Sequence, residues 1–445
     1  MRRLYDLMGL DRAVGFTLIA KAWSVVASPI TLFFIAQFLS PVAQGFFYTF
    51  GSVLAMKVFF ELGLTNVIVN FASHDHANLN HADPAVGHRS RIRLGNLLAV
   101  SIKYYAIGAA LFILVISLVG CYFFSQAKNG AGPPVDWKGP WLLVCVSEGG
   151  ILALSPIVAF LQGCDRVVEV LRFRMLESVL ANVLSWTILL NGGGLYNACA
   201  TSVASFVVIG SWLLFRHRKF LSDVLRDGRS SQELDWWVEV FPMQWRIGLS
   251  WLLGYFIYQL FNPILFATSG AVVAGKMGMS LNLLNSISGV ALAWVVTKTP
   301  NFGGLIAKRH WHALDRLFLG SLWRSVLILI MGLVIVCFGQ ALTIHYGWKI
   351  NFFTRMLDPL AFGLLALAIL ANHTTACVAV YLRAHKQEPM LAPTVVGALL
   401  TIPGVYFFGR AYHAMGVCSV YMALAWIGVI WSWWLFNTKR RDWHA

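Results

Sequence analysis

The residues of greatest chemical interest are the few charged side chains inside long apolar stretches. Lys57 and Glu61 both lie in the apolar segment 41–73. In a helix their spacing of one turn puts both side chains on one face, where they can pair. A charge at bilayer depth costs about 2.5–3.5 kcal/mol on insertion scales unless a partner or water compensates it. We therefore expect this face to turn towards a protein interior or a water-filled cavity.

Further basic side chains lie in other apolar stretches. At about 1.5 Å per residue, Lys21 and Lys103 lie roughly two turns inside the predicted inner surface, and Lys57 about one turn deeper. These three side chains can converge at one level. The alternative is that each lysine extends along apolar surface to reach an interface; for Lys276 and Arg324, nearer their helix ends, both explanations stay open. The predicted substrate-binding residues are Lys21, Lys57, Glu61, Lys103, Lys276 and Arg324.

The balance of the embedded charges predicts what a cavity would bind. The embedded cations outnumber the embedded acids, which are chiefly Glu61 and Glu148. A wet cavity in low dielectric attracts the opposite charge, so we expect an anion such as phosphate or diphosphate, which lysine binds as a point charge. Glu148 lies about two turns from the predicted outer surface. It is either an ion-coupling site for H⁺ or Na⁺, as Glu61 is, or a carboxylate paired with a donor.

The composition indicates what kind of protein positions these residues. Of 445 residues, 58% are hydrophobic and 12% charged, and the mean hydropathy is +0.69. A soluble domain carries about 25% charged residues. The chain is therefore expected to be an all-α polytopic membrane protein. We interpret the net charge of +15 as a topology signal and not as a sign of nucleic-acid binding, because basic residues of membrane proteins collect on the cytoplasmic side.

About twelve apolar windows are long enough to span a bilayer. Lys and Arg concentrate at the N-terminus and in the loops after even-numbered windows, whereas the other loops hold few. This alternation predicts that both termini are cytoplasmic. The approximate limits of the windows are 13–38, 43–70, 94–122, 140–163, 173–192, 196–215, 247–268, 271–297, 317–344, 357–382, 390–408 and 414–436.

The polar connector 216–246 divides the predicted spans into two halves. Charged residues alternate there with large apolar ones, which is typical of an amphipathic helix at the inner membrane surface; an ordinary solvated connector is the alternative. We predict two six-helix lobes around a central cavity. The first covers 1–225, and the second covers 226–445 and begins with the amphipathic linker.

A weak internal similarity accompanies this division. Arg12 precedes Pro29 by 17 positions (29 − 12), and Arg246 precedes Pro263 by 17 positions (263 − 246). Many transporters are built from such repeats. Because proline removes a backbone hydrogen bond and kinks a helix, Pro29 and Pro263 are the predicted hinges.

Enzymatic or metal chemistry is not indicated. Four histidines lie in the stretch 74–92, but their spacing fits no zinc pattern, and we expect a polar solvated loop there. The seven cysteines are scattered without a CxxC pair. No catalytic motif occurs in its required context, and the outer loops are too short to carry a site of their own. No metal, cofactor, catalytic residue or enzymatic activity is predicted.

Two stretches carry a family resemblance. They are LSPVAQGFFYTFGSVLAMKVFFELGL at 39–64, with FASH following at 71–74, and PMQWRIGLSWLLGYF at 242–256. With the twelve-span plan, they resemble the multidrug/oligosaccharidyl-lipid/polysaccharide exporter superfamily, and most of all its bacterial O-antigen-type flippases. The resemblance implies an alternating-access transporter with a cation-rich cavity between two lobes. It also implies that basic residues on the first, second and eighth spans contact a lipid diphosphate. Those spans carry Lys21, Lys57 and Lys276.

Residues and resemblance together favour a flippase that moves a polyprenyl-diphosphate-linked oligosaccharide across the bacterial cytoplasmic membrane, for example in lipopolysaccharide biosynthesis. Its expected partners are the lipid-linked oligosaccharide, membrane lipid, H⁺ or Na⁺, and polysaccharide assembly proteins. One alternative is a cation-coupled small-molecule (drug) exporter of the same fold, which would favour acids in its cavity. Another is a membrane polysaccharide polymerase or ligase, which would need a larger outer loop.

Overall fold

The described part of the chain is built from helices. The computed structural model describes residues 12–80, 82–126, 135–227, 235–348, 350–385, 387 and 389–444. Several residues that enter the topology prediction lie outside these ranges, namely Arg2, Arg3, Lys128, Arg229, Lys349 and Lys386.

Fifteen helices of nine or more residues account for most of the described chain. The first eight are α1 (Arg12–Phe38), α2 (Pro41–Leu54), α3 (Leu64–Ala77), α4 (Pro84–Ser125), α5 (Lys138–Gly163), α6 (Val167–Leu190), α7 (Asn197–Trp212) and α8 (Arg218–Asp227). The others are α9 (Phe241–Tyr258), α10 (Phe261–Ser269), α11 (Ala271–Val296), α12 (Thr299–Ala307), α13 (Trp311–His345), α14 (Pro359–Ala384) and α15 (Leu391–His444).

Eleven helical segments of the described chain are long and apolar enough to span a membrane. The last of them, Leu391–Trp443, is interrupted at Tyr412 and His413, where the backbone leaves the helical conformation. This segment therefore contains both the eleventh and the twelfth predicted spans. The prediction of an all-α polytopic membrane protein is confirmed.

The described residues of the stretch 74–92 are mostly helical, so the prediction of a loop there is wrong, although many of them are exposed. Helix α3 continues to Ala77, and α4 begins at Pro84. The Asp83 carboxylate accepts a 2.9 Å hydrogen bond from the backbone N–H of Ala85 and so caps α4. Proline suits the first helical position because an N–H there would have no partner within the helix.

A partly buried ionic network ties these two helices to the connector. Asp75 is 5% exposed. Its carboxylate lies 3.5 Å from the Arg93 guanidinium, which also contacts Glu239 at 2.6 Å. Burial raises the pKa of Asp75, although Arg93 and His74 oppose this shift. The network joins α3 and α4 to the helical turn Trp236–Val240 in the connector before α9.

By contact density the chain forms two compact units, each described by itself. The first comprises residues 12–34, 53–126 and 135–255, and the second comprises 35–52 and 256–444. In the first unit α5 packs against α3, α4 and α7, and α6 packs against α7. In the second unit α14 packs against α15, and α11 packs against α10 and α13. The connector contributes α8 to the first unit, where it packs against α4.

The second predicted span is not one continuous helix. After α2 the chain forms a 3₁₀ turn at Ala55–Lys57 and one short helical turn at Val58–Glu61. Leu62 and Gly63 then adopt positive φ angles of 46° and 69°, and α3 follows. A positive φ is uncommon for a residue as bulky as leucine. Irregular backbone at membrane depth occurs only where it is buried in protein or lines a water-filled cavity.

The two predicted hinge prolines occupy different positions in their helices. Pro29 lies inside α1, which runs past it without interruption. Pro263 lies in the first turn of α10, just after the helix breaks at Gln259 and Leu260. Proline is tolerated at such a start, so it is this interruption, and not a proline kink within a helix, that bends the chain there.

Two glycines of α2 provide a matched test of packing in the second unit. A Cβ added to Gly45 would lie 1.9 Å from the carbonyl oxygen of Ala271, whereas one added to Gly51 would have nothing within 4 Å. We predict that Gly45→Ala destabilises the protein by about 1–3 kcal/mol through overpacking. Gly51→Ala should be neutral or stabilise by up to about 1 kcal/mol, because alanine is the better helix former. Thermal unfolding in detergent measures both, and equal melting temperatures would contradict the described packing.

Candidate functional site

A cavity of about 410 Å³ with both charged and apolar lining residues lies within the first unit. Its walls come from α5, α6, α7 and the interrupted part of the second span. Apolar side chains such as Val158, Val170 and Phe173 form part of the lining. The charged lining residues among those that the structure describes are Lys57, Glu61, Glu148, Arg174 and Glu177.

Lys57 pairs with Glu148 on α5, and not with its sequence neighbour Glu61. The Lys57 ammonium lies 2.9 Å from Oε2 of Glu148. The other carboxylate oxygen accepts a 2.8 Å hydrogen bond from the Ser202 hydroxyl of α7. The side chains of Lys57 and Glu148 are 42% and 16% exposed, respectively. Both oxygens of Glu148 therefore have a partner, while the ammonium keeps a face open to the cavity.

Glu61 is held by hydroxyl groups across the helix interruption. The Thr65 hydroxyl donates to Glu61, and it lies 2.9 Å from the Tyr105 hydroxyl. Because Thr65 has one hydroxyl hydrogen and gives it to the carboxylate, Tyr105 must be the donor to Thr65. Tyr105, on α4, is 1% exposed. This chain of hydrogen bonds connects the helical turn before Leu62 with the first turn of α3 and with α4.

Arg174 and Glu177 are site residues that the sequence interpretation missed. They lie three positions apart on α6, a spacing that puts both on one helix face. Glu177 accepts a hydrogen bond from the Ser205 hydroxyl of α7. The available signal was an arginine and a glutamate inside the fifth apolar window, 173–192.

The other predicted binding residues do not line this cavity. Lys21 and Lys103 belong to the first unit and are exposed. In the second unit, Lys276 lies 3.5 Å from the carboxylate of Asp358, and Arg324 is exposed. Of the predicted site residues, the cavity thus brings together Lys57, Glu61 and Glu148.

The charged residues that line this cavity favour neither an anionic nor a cationic ligand strongly. Two cationic and three carboxylate side chains face it among the described residues, a formal balance of −1 (2 − 3). The sequence had predicted an excess of cations for the binding chamber. An anion that reaches Lys57 must therefore compete with Glu148 for the ammonium, because Glu148 already neutralises it.

Solved structures of similar architecture are transporters. An inward-facing MATE multidrug-resistance transporter of the MOP superfamily has a TM-score of 0.58 and 14% identity, covering 93% of this chain and 98% of that one. The lipid II flippase MurJ in an inward closed conformation has a TM-score of 0.59 and 14% identity, covering 96% and 87%. A MATE transporter in the straight conformation has a TM-score of 0.53 and 14% identity, covering 97% of both chains.

This chain has the fold of the MOP transporters. The resemblance to the multidrug/oligosaccharidyl-lipid/polysaccharide exporter superfamily is therefore confirmed at the level of the fold, and the O-antigen-type branch stays a prediction. No protein-family model matches the chain, and no curated protein matches it.

The Lys57–Glu148 pair can be tested by a double-mutant cycle. Lys57→Met leaves an uncompensated carboxylate and Glu148→Gln an unpaired ammonium, whereas the double variant leaves neither. We predict that each single variant lowers the melting temperature. The double variant should lose less stability than the sum of the two single losses, and the difference, the coupling free energy, should be about 0.5–3 kcal/mol. The control is Lys308→Met, an exposed lysine, which should change nothing. Strictly additive effects would show that the two groups do not interact.

Proposed function

We propose that this protein is a flippase that moves a polyprenyl-diphosphate-linked oligosaccharide across the bacterial cytoplasmic membrane by alternating access. The observation that carries the proposal is Lys57, a cation that reaches a cavity at an interrupted membrane helix. Interrupted helices are where transporters of other folds bind substrates and coupling ions. The fold also supports the proposal, because one protein that shares it is a lipid II flippase.

In this mechanism the diphosphate displaces Glu148 from the Lys57 ammonium. Lysine holds phosphate as a point charge, and the displaced carboxylate becomes free to take up a proton or a sodium ion. Glu61, on the same cavity wall, is the second proposed coupling group. The proposal keeps four further substrate-binding residues from the sequence interpretation: Lys21, Lys103, Lys276 and Arg324.

Alternating access needs flexible points in the chain. We propose that the two lobes, 1–225 and 226–445, move about Pro29 and Pro263.

The proposal also keeps the predicted topology and partners. Both termini lie in the cytoplasm, and assembly proteins for the polysaccharide receive or supply the substrate.

The export role is tested in cells of the native host. Lys57→Ala should abolish surface glycan and leave the lipid-linked oligosaccharide on the inner leaflet. Loss of one charge-assisted hydrogen bond weakens binding by about 10- to 100-fold. Lys57→Arg should retain part of the export because it keeps the charge, and Lys308→Ala should export normally. Immunoblots of membranes establish equal insertion; wild-type glycan in the Lys57→Ala strain would refute a role for this lysine.

The orientation is tested by reporter fusions. A fusion near Lys219, in the connector between the halves, should report the cytoplasm, because basic residues concentrate there. A fusion near Arg410 should report the opposite side. The reverse pattern would overturn the topology and, with it, the direction of transport.

A second candidate function is a cation-coupled exporter of small molecules. The three carboxylates of the cavity favour it, as does the fold shared with a multidrug-resistance transporter. Under this function, Glu61→Gln and Glu148→Gln should stop efflux of a fluorescent cationic dye, and Lys57→Ala should not. Dye efflux that is unaffected by the glutamine variants would dismiss this candidate.

A further inference from the structure

A second cavity of about 360 Å³, with a mostly polar lining, adjoins the first within the same unit. It lies between α6 and α7, and its size is at the lower end of the about 300–1,000 Å³ of small-molecule sites. Its polar lining residues are Arg174, Glu177, Ser178, Asn182, Thr201 and Ser205. Four of them, Arg174, Glu177, Thr201 and Ser205, also line the cavity that contains Lys57.

This second cavity offers hydrogen-bonding groups that the protein does not use. Among the described residues, no protein partner occurs for the guanidinium of Arg174 or for the hydroxyls of Ser178 and Thr201, and Arg174 and Thr201 are exposed. Glu177 receives the Ser205 hydroxyl on one oxygen only. Polar groups within a membrane segment are costly unless water or a ligand meets them. The cavity is therefore suited to a ligand that both donates and accepts many hydrogen bonds.

The Asn182 amide is oriented by a hydrogen bond within α6. Its side-chain N–H donates to the Ser178 backbone carbonyl at 2.8 Å, which uses one of its two amide hydrogens. Its oxygen lies 3.4 Å from the Thr31 hydroxyl of α1, but that hydroxyl donates its one hydrogen to the Ala27 carbonyl at 2.9 Å. The hydrogen bond within α6 thus orients the amide. Among the described residues, its oxygen and one N–H remain for a ligand.

The mixture of groups discriminates between ligand classes. A phosphate would find no lysine here, only Arg174, whose charge is offset by Glu177, and a metal ion would find one carboxylate beside a guanidinium. An apolar ligand would leave every polar group unpaired, at a cost of about 1–3 kcal/mol each. A neutral ring that carries several hydroxyls satisfies donors and acceptors alike.

We propose that this cavity binds a sugar ring, namely the one attached directly to the diphosphate of the transported lipid. This assignment rests on the proposed flippase function and adds the recognition of the carbohydrate to it. Because the sugar and the diphosphate are covalently joined, their sites must adjoin, and the two cavities share four lining residues. Thr201 and Asn182 contact the sugar hydroxyls, while Lys57 holds the phosphate.

The test uses the full-length protein in nanodiscs and two separate probes. Saturation-transfer-difference NMR detects binding of the methyl glycosides of glucose, galactose and N-acetylglucosamine, and ³¹P line broadening detects binding of inorganic pyrophosphate. Thr201→Val removes one hydroxyl at nearly constant shape, and Asn182→Leu removes the amide. Each should weaken binding of at least one glycoside by about fivefold or more, the size of one lost hydrogen bond.

Three further variants make the result decisive. Thr201→Ser keeps a hydroxyl and should retain glycoside binding. Thr187→Val, an exposed threonine on α6, should have no effect. Lys57→Met should lose pyrophosphate binding and keep the glycoside signal.

Two outcomes overturn the sugar site: no glycoside signal from the wild-type protein, or a signal that Thr201→Val and Asn182→Leu leave unchanged. Pyrophosphate binding that survives Lys57→Met would instead refute the role of Lys57 in the proposed function, while a glycoside signal that depends on Thr201 would still support the sugar site. Melting temperatures of all variants within a few degrees of the wild type exclude misfolding as the cause of lost binding.

Discussion

The hydrogen bonds of the backbone in hydrocarbon are the constraint on which this structure depends. A membrane offers no water to an unpaired N–H or C=O group, so a helix can be interrupted there only against protein or a wet cavity. The interruption after α2 satisfies this condition by close packing. A Cβ on Gly248 of α9 would lie 2.9 Å from the carbonyl oxygen of Leu62. Glycine at 248 thus lets α9 approach the backbone where the chain turns at Leu62 and Gly63.

The position of the interruption also decides how the embedded charges are compensated. In a continuous helix, Lys57 and Glu61 would face each other one turn apart. In the 3₁₀ turn and short helical turn observed here, Lys57 instead pairs with Glu148, and Glu61 bonds to Thr65. Each charge is therefore compensated by a different partner. Ions that are paired separately can also be released separately, which a transporter with both a substrate and a coupling ion requires.

The sequence predicts the spans well because the length and hydropathy of a window depend only on consecutive residues. It predicts partners poorly because these depend on which helices meet. Nothing near Lys57 indicates Glu148, 91 positions away (148 − 57), or Ser202. Other features carried signals that were not used: Asp83-Pro84 is a typical helix start, and Gly63 after a charged segment indicates a break. Arg174 and Glu177 were visible inside an apolar window but were not included among the embedded charges.

The charges of the cavity predict a different proton exchange for each of the two candidate functions. With all five groups ionised, the balance is −1 (2 − 3), and a dianionic phosphate would enter an unfavourable field. Protonation of Glu148 makes the cavity neutral and frees Lys57, so an anionic substrate should bind together with a proton. A cationic drug is attracted by the ionised carboxylates and should therefore bind as a proton leaves. Both functions use Glu148, but they exchange protons in opposite directions. The direction of proton exchange on binding is thus a physical consequence of the substrate's charge, and it follows from the Lys57–Glu148 ion pair, which joins α5 to the interrupted span.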